Sequence, residues 1–357
     1  MNVLVTGSDG YIGSRLVPYL AERGHQVTGL DAGFYRDGRL GEGWPAVPAS
    51  RTGDVRRITA ADLAGFDAVV HLAELSNDPL GQHDPELTYD INYRGSVRLA
   101  RAAREAGVPR FVYTSSCSVY GAGGDEPRTE TSPTAPQTVY ARCKVLVEGA
   151  LAALADDRFS PTVLRNATAY GPSPRMRFDL VLNNLAGLAW TTGEIRMVSD
   201  GTPWRPLVHV LDICQAVACT LQASRRQVHN EVFNVGDDAE NYRVRDIAEV
   251  VADVFPGCRL AFGPGGDDRR SYRVSFRKIV DRLPGFRCRY TARAGAAELR
   301  ALFEQVGLSR EMFAFRAYTR LRQLEHLLAT GAVDRHLYWT AAPAVRPAAE
   351  AAGAQRP

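Results

Sequence analysis

No apolar run in the 357-residue chain approaches the ~20 residues needed to cross a bilayer, so no membrane partner is expected. The six cysteines, Cys117, Cys143, Cys214, Cys219, Cys258 and Cys288, form no CxxC pair and no metal-finger spacing. That argues against a disulfide framework or a zinc site and for reduced thiols in the cytoplasm. Charge of one sign is lacking too. The 43 Lys and Arg are interspersed with 40 Asp and Glu for a net +3, which demands neither nucleic acid nor an anionic surface. The opening Met1–Gly7 has no basic stretch, extended apolar region or small-residue cleavage site. It reads as a strand rather than a signal peptide, and a cytoplasmic protein is expected. There is no internal repeat.

What is present is a hydrophobic fraction of 45% over a length that suggests two structural regions. In the first half, short β-branched runs alternate with helical patterns. Strands are expected at 3–5, 26–30, 68–72, 110–114 and 162–165, and helices at 12–23, 88–106 and 138–155. This alternation predicts an α/β fold, a Rossmann-like doubly wound parallel sheet, with a smaller mixed α/β substrate-binding region. Residues 33–50, rich in Gly, Pro and Arg, read as a loop. Beyond Gly171, helices are expected at 178–192, 212–223 and 244–255, and short strands at 195–198 and 205–209. The resulting division is 1–170 for the dinucleotide and catalytic groups, 171–308 mainly for substrate, 309–340 helical and 341–357 disordered. In 309–328 the apolar residues Phe313, Tyr318, Leu321, Leu324 and Leu328 recur at helical spacing, which suits a packed terminal helix rather than a cofactor site.

Thr6-Gly7-Ser8-Asp9-Gly10-Tyr11-Ile12-Gly13 follows a strand and opens a helix. Gly7 permits the tight turn, Gly10 the approach of a pyrophosphate, and Gly13 close packing, with free N–H groups at the helix start for phosphate. Asp31 lies about 18 residues beyond Gly13, near the ~20 expected of a ribose-binding acid. A carboxylate there accepts from a 2′-hydroxyl and repels a 2′-phosphate, so NAD is favoured over NADP. Arg36 would argue the other way if it folded over the ribose. Asp54, with Val55 beside it, is a candidate acceptor for the adenine amino group, or a turn cap.

Tyr140 and Lys144 form a YxxxK arrangement on one helix face. A free tyrosine has a pKa of ~10, and the ammonium helps it act as a base near neutrality. Upstream, a strand ends in Ser115 and Ser116, whose hydroxyls would meet the substrate oxygen.

Together these segments resemble the extended short-chain dehydrogenase/reductase family, whose nucleotide-sugar members include 4-epimerases and 4,6-dehydratases. Further matches are Val70-His71-Leu72-Ala73, Asp90-Ile91-Asn92, Ser115 to Gly121, Tyr170-Gly171-Pro172, Asn183-Asn184-Leu185, Arg205 to Asp212 and Phe233 to Gly236. The resemblance runs from Met1 to about Tyr272. It implies catalysis by Ser116, Tyr140 and Lys144, NAD contacts from Leu72, Ala73, Asn92 and Tyr170, and substrate-diphosphate contacts from Asn184 and Arg205. Arg205 also stands on its own, since a guanidinium suits phosphate. A homodimer through the 88–106 and 138–155 helices is implied as well.

The chain departs from the family at three places. The dehydratases carry an Asp-Glu pair after the catalytic Thr, whereas Cys117-Ser118 stands here, with no carboxyl for dehydration. Cys117 is a candidate acid/base, or a small buried filler. Thr168 replaces a common Asn, and Asp267 to Tyr272 replaces the usual late Arg-x-x-Asp, leaving Arg270 to reach a phosphate or ribose. Ser118 and Thr168 join the substrate-side candidates. Trp204 stacks on a ligand or fills core. The expected activity is NAD-dependent epimerisation of a UDP-, dTDP- or GDP-sugar through a keto-sugar at C4. Decarboxylase, dehydratase and reductase chemistries are the rivals, and a non-catalytic NAD-binding protein a more distant one.

Overall fold

The computed structural model describes residues 1–45, 49–76, 84–122, 126–197, 199–264 and 270–341. Seven parallel strands form the central sheet. In chain order they are β1 (Asn2–Thr6), β2 (Gln26–Asp31), β3 (Ala49–Thr52), β4 (Ala68–His71), β5 (Arg110–Ser116), β6 (Ser160–Asn166) and, after three short strands, β10 (Glu231–Val235). Those three are β7 (Thr168–Tyr170), β8 (Glu194–Arg196) and β9 (Trp204–His209). Spatially the order is β10-β6-β5-β4-β1-β2-β3. The chain leaves β1 toward β2 and β3, then returns to lay β4 on its other side. That reversal opens a crevice beyond the carboxyl ends of β1 and β4, the ligand site of such sheets. Ala68, Val69 and Val70 are wholly buried, as expected of a strand covered on both faces.

One face is covered by helices Gly13–Ala21 and Val210–Gln222, the other by Ser96–Glu105 and Val139–Leu154. The smaller region holds a three-stranded sheet, β11 (Asn241–Arg243), β9 and β7, and a pair formed by β12 (Arg259–Ala261) with β8. Among the described residues no helix is long and apolar enough to cross a membrane.

Three expectations change. The helix expected at 88–106 is interrupted: after Pro85–Thr88 the turns widen to π geometry over Tyr89–Gly95, before Ser96–Glu105. Asn92 sits in that widened turn and bonds the Leu75 backbone in both directions, at 2.8 and 3.0 Å. The expected helix over 309–328 breaks into Arg310–Phe313, Arg316–Tyr318 and Arg320–Ala329. Phe313 and Tyr318 pack with the smaller region while Leu324 packs against the first, so the chain must bend between them. The helix Ala292–Val306, capped by Thr291 and ended by Gly307 at φ 57°, was not anticipated. Residues 342–357, most of the expected tail, lie outside the described residues.

Candidate active site

The first turn of the sheet is shaped by glycines that cannot be replaced. Gly7 has φ +75°, and a Cβ on it would lie 2.8 Å from the Ala73 nitrogen. A Cβ on Gly13 would fall on the Gly7 carbonyl oxygen. Helix Gly13–Ala21 then begins with no side-chain cap and no acid in its first turn, leaving its positive end open to an anion. At the end of β2, Asp31 accepts from the N–H groups of Asp9 (3.0 Å) and Gly33 (2.6 Å). Burial, with repulsion from Asp9, pushes its carboxyl up to about 6. Arg36 is drawn away from this acid, pairing with Asp9 at 2.9 Å and donating to Thr52 Oγ1 at 2.9 Å. Asp54 caps its own turn and pairs with Arg56 at 2.6 Å, while also lining the cavity.

Register brings Ser116 at the end of β5 beside Asn166 at the end of β6. Ser116 Oγ accepts from the Ser118 N–H at 3.1 Å, which fixes the side chain and leaves its O–H to donate. Thr138 caps the helix Val139–Leu154, putting Tyr140 in its first turn and Lys144 one turn later. Lys144 Nζ lies 5.3 Å from the Tyr140 ring centroid and 4.6 Å from that of Tyr113. It donates to the Thr114 carbonyl at 2.6 Å and pairs with Glu74 at 2.6 Å, both side chains being buried. Tyr113 O–H donates to the same carboxylate at 2.6 Å. Burial alone would push the ammonium down, but Glu74, with Tyr140 and Glu148 beside it, offsets that and Lys144 is held above its ordinary value.

One cavity of about 890 Å³ joins these groups to the substrate side. All the anticipated cofactor residues reach it except Asn92 and Tyr170; on the substrate side Ser118, Thr168, Arg205 and Arg270 do so. Buried Ser118 Oγ and Asn166 Oδ1, on its wall, have no hydrogen-bond partner among the described residues. Such atoms are costly unless a ligand or water meets them.

Four anticipated residues are placed elsewhere. Tyr170 is wholly buried against Gly295 and edge-on to His209, off the cavity. Asn92 acts one step removed, by holding the Leu75 backbone. Asn184 spends its amide on the Phe178 carbonyl at 2.8 Å. Cys117 is 1% exposed, its thiol donates to the Arg165 carbonyl at 3.2 Å, and burial pushes it far up, which removes it as an acid/base. Trp204, left open, lies off the cavity with Arg243 and Arg273 over its ring. Of the Asp267–Tyr272 segment, Asp267, Asp268 and Arg269 lie outside the described residues.

The structure also adds residues that sequence reasoning missed: Glu74, Arg177, Asp179 and Arg320 all line the cavity. Only Glu74 left a signal, an acid directly behind the strand end Val70-His71-Leu72-Ala73.

A tyrosine one helical turn from a buried lysine, beside a dinucleotide crevice, is the arrangement of the short-chain dehydrogenase/reductase class of NAD-dependent enzymes. Within that class the chain belongs to the NAD-dependent epimerase/dehydratase family, whose model matches residues 3–236. It is 31% identical to a UDP-glucose 4-epimerase of Corynebacterium glutamicum over 71% of this chain and 80% of that one. MoeE5, solved in complex with UDP-glucuronic acid and NAD, superposes with a TM-score of 0.72 at 28% identity, over 85% of this chain and 99% of that one. DesIV of Streptomyces venezuelae, a dTDP-glucose 4,6-dehydratase solved with NAD, superposes with a TM-score of 0.74 at 25% identity, over 87% and 100%. The residues present fit NAD: the glycine cradle excludes side chains, and Asp31 presents a part-buried carboxyl group at the end of β2, where a dinucleotide fold calls for a ribose acceptor.

Proposed function

We propose that this chain epimerises a nucleoside-diphosphate sugar, first among candidates a UDP-hexose, at C4 through a transient keto-sugar. The carrying observation is that Ser116, Tyr140 and Lys144 line one cavity together with the glycine turn and with Thr168 and Arg205. Tyr140 takes the proton of the C4 hydroxyl, and the Lys144 ammonium favours the phenolate. Ser116 donates to the same oxygen and holds it in line. NAD, when bound, supplies the two-electron acceptor and returns the same electrons. Arg205, with Arg270 beside it, faces the substrate diphosphate. It is oriented by its own donation to the Trp204 carbonyl at 2.8 Å and to the Arg270 carbonyl. For inversion, the keto-sugar must turn before reduction, which the breadth of the cavity favours.

Dehydration finds no support beside Ser116. Cys117 is turned into the core, Ser118 carries no carboxyl, and Glu74 is committed to Lys144 and Tyr113. The reading extends to a cytoplasmic homodimer. Its faces would be helices Ser96–Glu105 and Val139–Leu154, the latter with Leu146 42% exposed. Incubation of the purified protein with UDP-, dTDP- and GDP-sugars, read by proton NMR and mass spectrometry, tests the reaction. A C4 stereoisomer of equal mass is expected. Loss of water, loss of carbon dioxide or net consumption of reduced cofactor, with no stereoisomer from any sugar, rejects it.

A further inference from the structure

The helix Arg320–Ala329 is fastened to the dinucleotide half of the molecule. Leu324 and Leu327 pack with Phe34, Leu75 and Ile91. Gln323 Nε2 donates to the Phe34 carbonyl at 3.0 Å, and further along the chain Trp339 Nε1 donates to the Ala32 carbonyl at 2.7 Å. These bonds set the helix start over the segment that follows Asp31. Arg320, its first residue, lines the central cavity although it is only 3% exposed. Its guanidinium lies 4.0 Å from the Tyr35 ring centroid, and its Nη1 has no hydrogen-bond partner among the described residues.

The charges around it do not balance. Arg177, also on the cavity wall, takes both oxygens of Asp179, at 2.9 and 3.0 Å, and donates to Ser76 Oγ at 2.9 Å. Two buried guanidinium groups therefore share one close carboxylate. Burial, reinforced by Arg177, pushes Arg320 down to about 10. Among the described residues, Arg320 faces a carboxylate already taken by a second arginine, which is unfavourable for a buried cation, and an arginine does not escape by losing its proton. The site is built for an anion.

Position says which anion. Asn183 Nδ2 donates to both the Arg177 carbonyl (3.1 Å) and the Tyr11 hydroxyl (3.2 Å), tying this corner to the glycine turn. The acids that act on Arg320 are Asp179 and Asp31, the latter at the ribose position. We propose that Arg320 binds the diphosphate of NAD, so that the C-terminal helix closes over the cofactor from the side opposite the glycine turn. This requires the family's dinucleotide site but not the C4 reaction.

The test compares Arg320→Met, which keeps the apolar stem, with Arg320→Lys, which keeps the charge. Binding of NAD, ADP-ribose and adenosine, and separately of UDP, is measured by calorimetry, and NAD carried through purification is quantified. Arg320→Met should weaken NAD and ADP-ribose by roughly 10- to 100-fold, the range of a charge-assisted hydrogen bond, and adenosine by less than twofold. Arg320→Lys should recover most of the loss. The nucleotide-free Met variant should melt no lower than the parent, because it sheds a buried charge that competes with Arg177 for one carboxylate, and should gain less from added NAD. Equal losses for all three ligands, or a lower melting point without nucleotide, would show an adenosine-side wall or a packing residue instead. Unchanged NAD binding with weakened binding of UDP would assign Arg320 to the substrate. Either result overturns the proposal.

Discussion

Replacing Glu74 with Gln keeps the shape of the side chain and removes the counter-charge of Lys144. Two outcomes compete. If Lys144 keeps its proton, a buried ammonium loses its partner, which costs about 3–5 kcal/mol. If it gives the proton up, the cost is set by pH. At ~1.36 kcal/mol per pH unit, holding it neutral costs about 5 kcal/mol at pH 7 and about 2 kcal/mol at pH 9, relative to its ordinary 10.5. The cheaper route wins, so the loss should be about 3–5 kcal/mol at pH 7 and no more than about 2 kcal/mol at pH 9. The sign follows from proton linkage. In the parent, Lys144 is raised, so its contribution is present at neutral pH and is lost only above 10.5. In the variant its value is depressed, the unfolded chain binds more protons, and stability rises with pH. Urea unfolding of nucleotide-free parent and variant at pH 7, 8 and 9 measures this. A loss below about 1 kcal/mol at pH 7, or one that stays flat with pH, would refute the reasoning and show that the Thr114 carbonyl and the tyrosine faces suffice for the ammonium.

Tyr140→Phe should lower kcat by at least ~10²-fold, the usual scale for a lost general base, with NAD affinity within a few-fold of the parent. A comparable loss of NAD binding would show a cofactor wall rather than a base. NAD affinity should weaken as pH falls through about 6, up to roughly tenfold by pH 5, because protonated Asp31 is a poorer acceptor. Asp31→Asn should abolish that dependence. The same group makes the nucleotide-free protein more stable as pH falls through 6, since its folded value lies above the ordinary 3.8. Cys117→Ser should leave kcat within about twofold and cost about 1 kcal/mol of stability, as the serine hydroxyl can still reach the Arg165 carbonyl; a tenfold fall in kcat would restore the thiol as a reacting group.

What could be read from the chain is what depends on near neighbours. The glycine turn, the acid ending β2, the hydroxyls ending β5 and the tyrosine and lysine one turn apart are each a local geometry, and each reached the cavity. Helix ends were legible for the same reason, to within a few residues. The interruption at Tyr89–Gly95 was not, because its reason is Asn92 bonding the backbone of Leu75 across the molecule. The break before Arg320 was hidden likewise, since one continuous apolar spacing serves two separate cores. Tyr170 and Asn184 were misplaced because a matched motif gives an address in the chain and not the direction of a side chain.

Two of the charged groups that escaped detection, Glu74 and Arg320, share one property: each is placed by contacts distant in sequence. Glu74 reads as a loop acid until the fold brings Lys144 against it, and Arg320 reads as an ordinary helix charge until Phe34 and Ala32 dock its helix onto the cavity. Burial changes what such residues are. On the surface an ion pair contributes little, and a lone arginine nothing. Inside, the same lysine must be neutralised or given a carboxylate, and the same arginine must find an anion. The structure answers the first demand within the chain, at Glu74. It leaves the second to be met by what binds, so the end of the cavity nearest Asp31 is the part whose charge only a ligand completes.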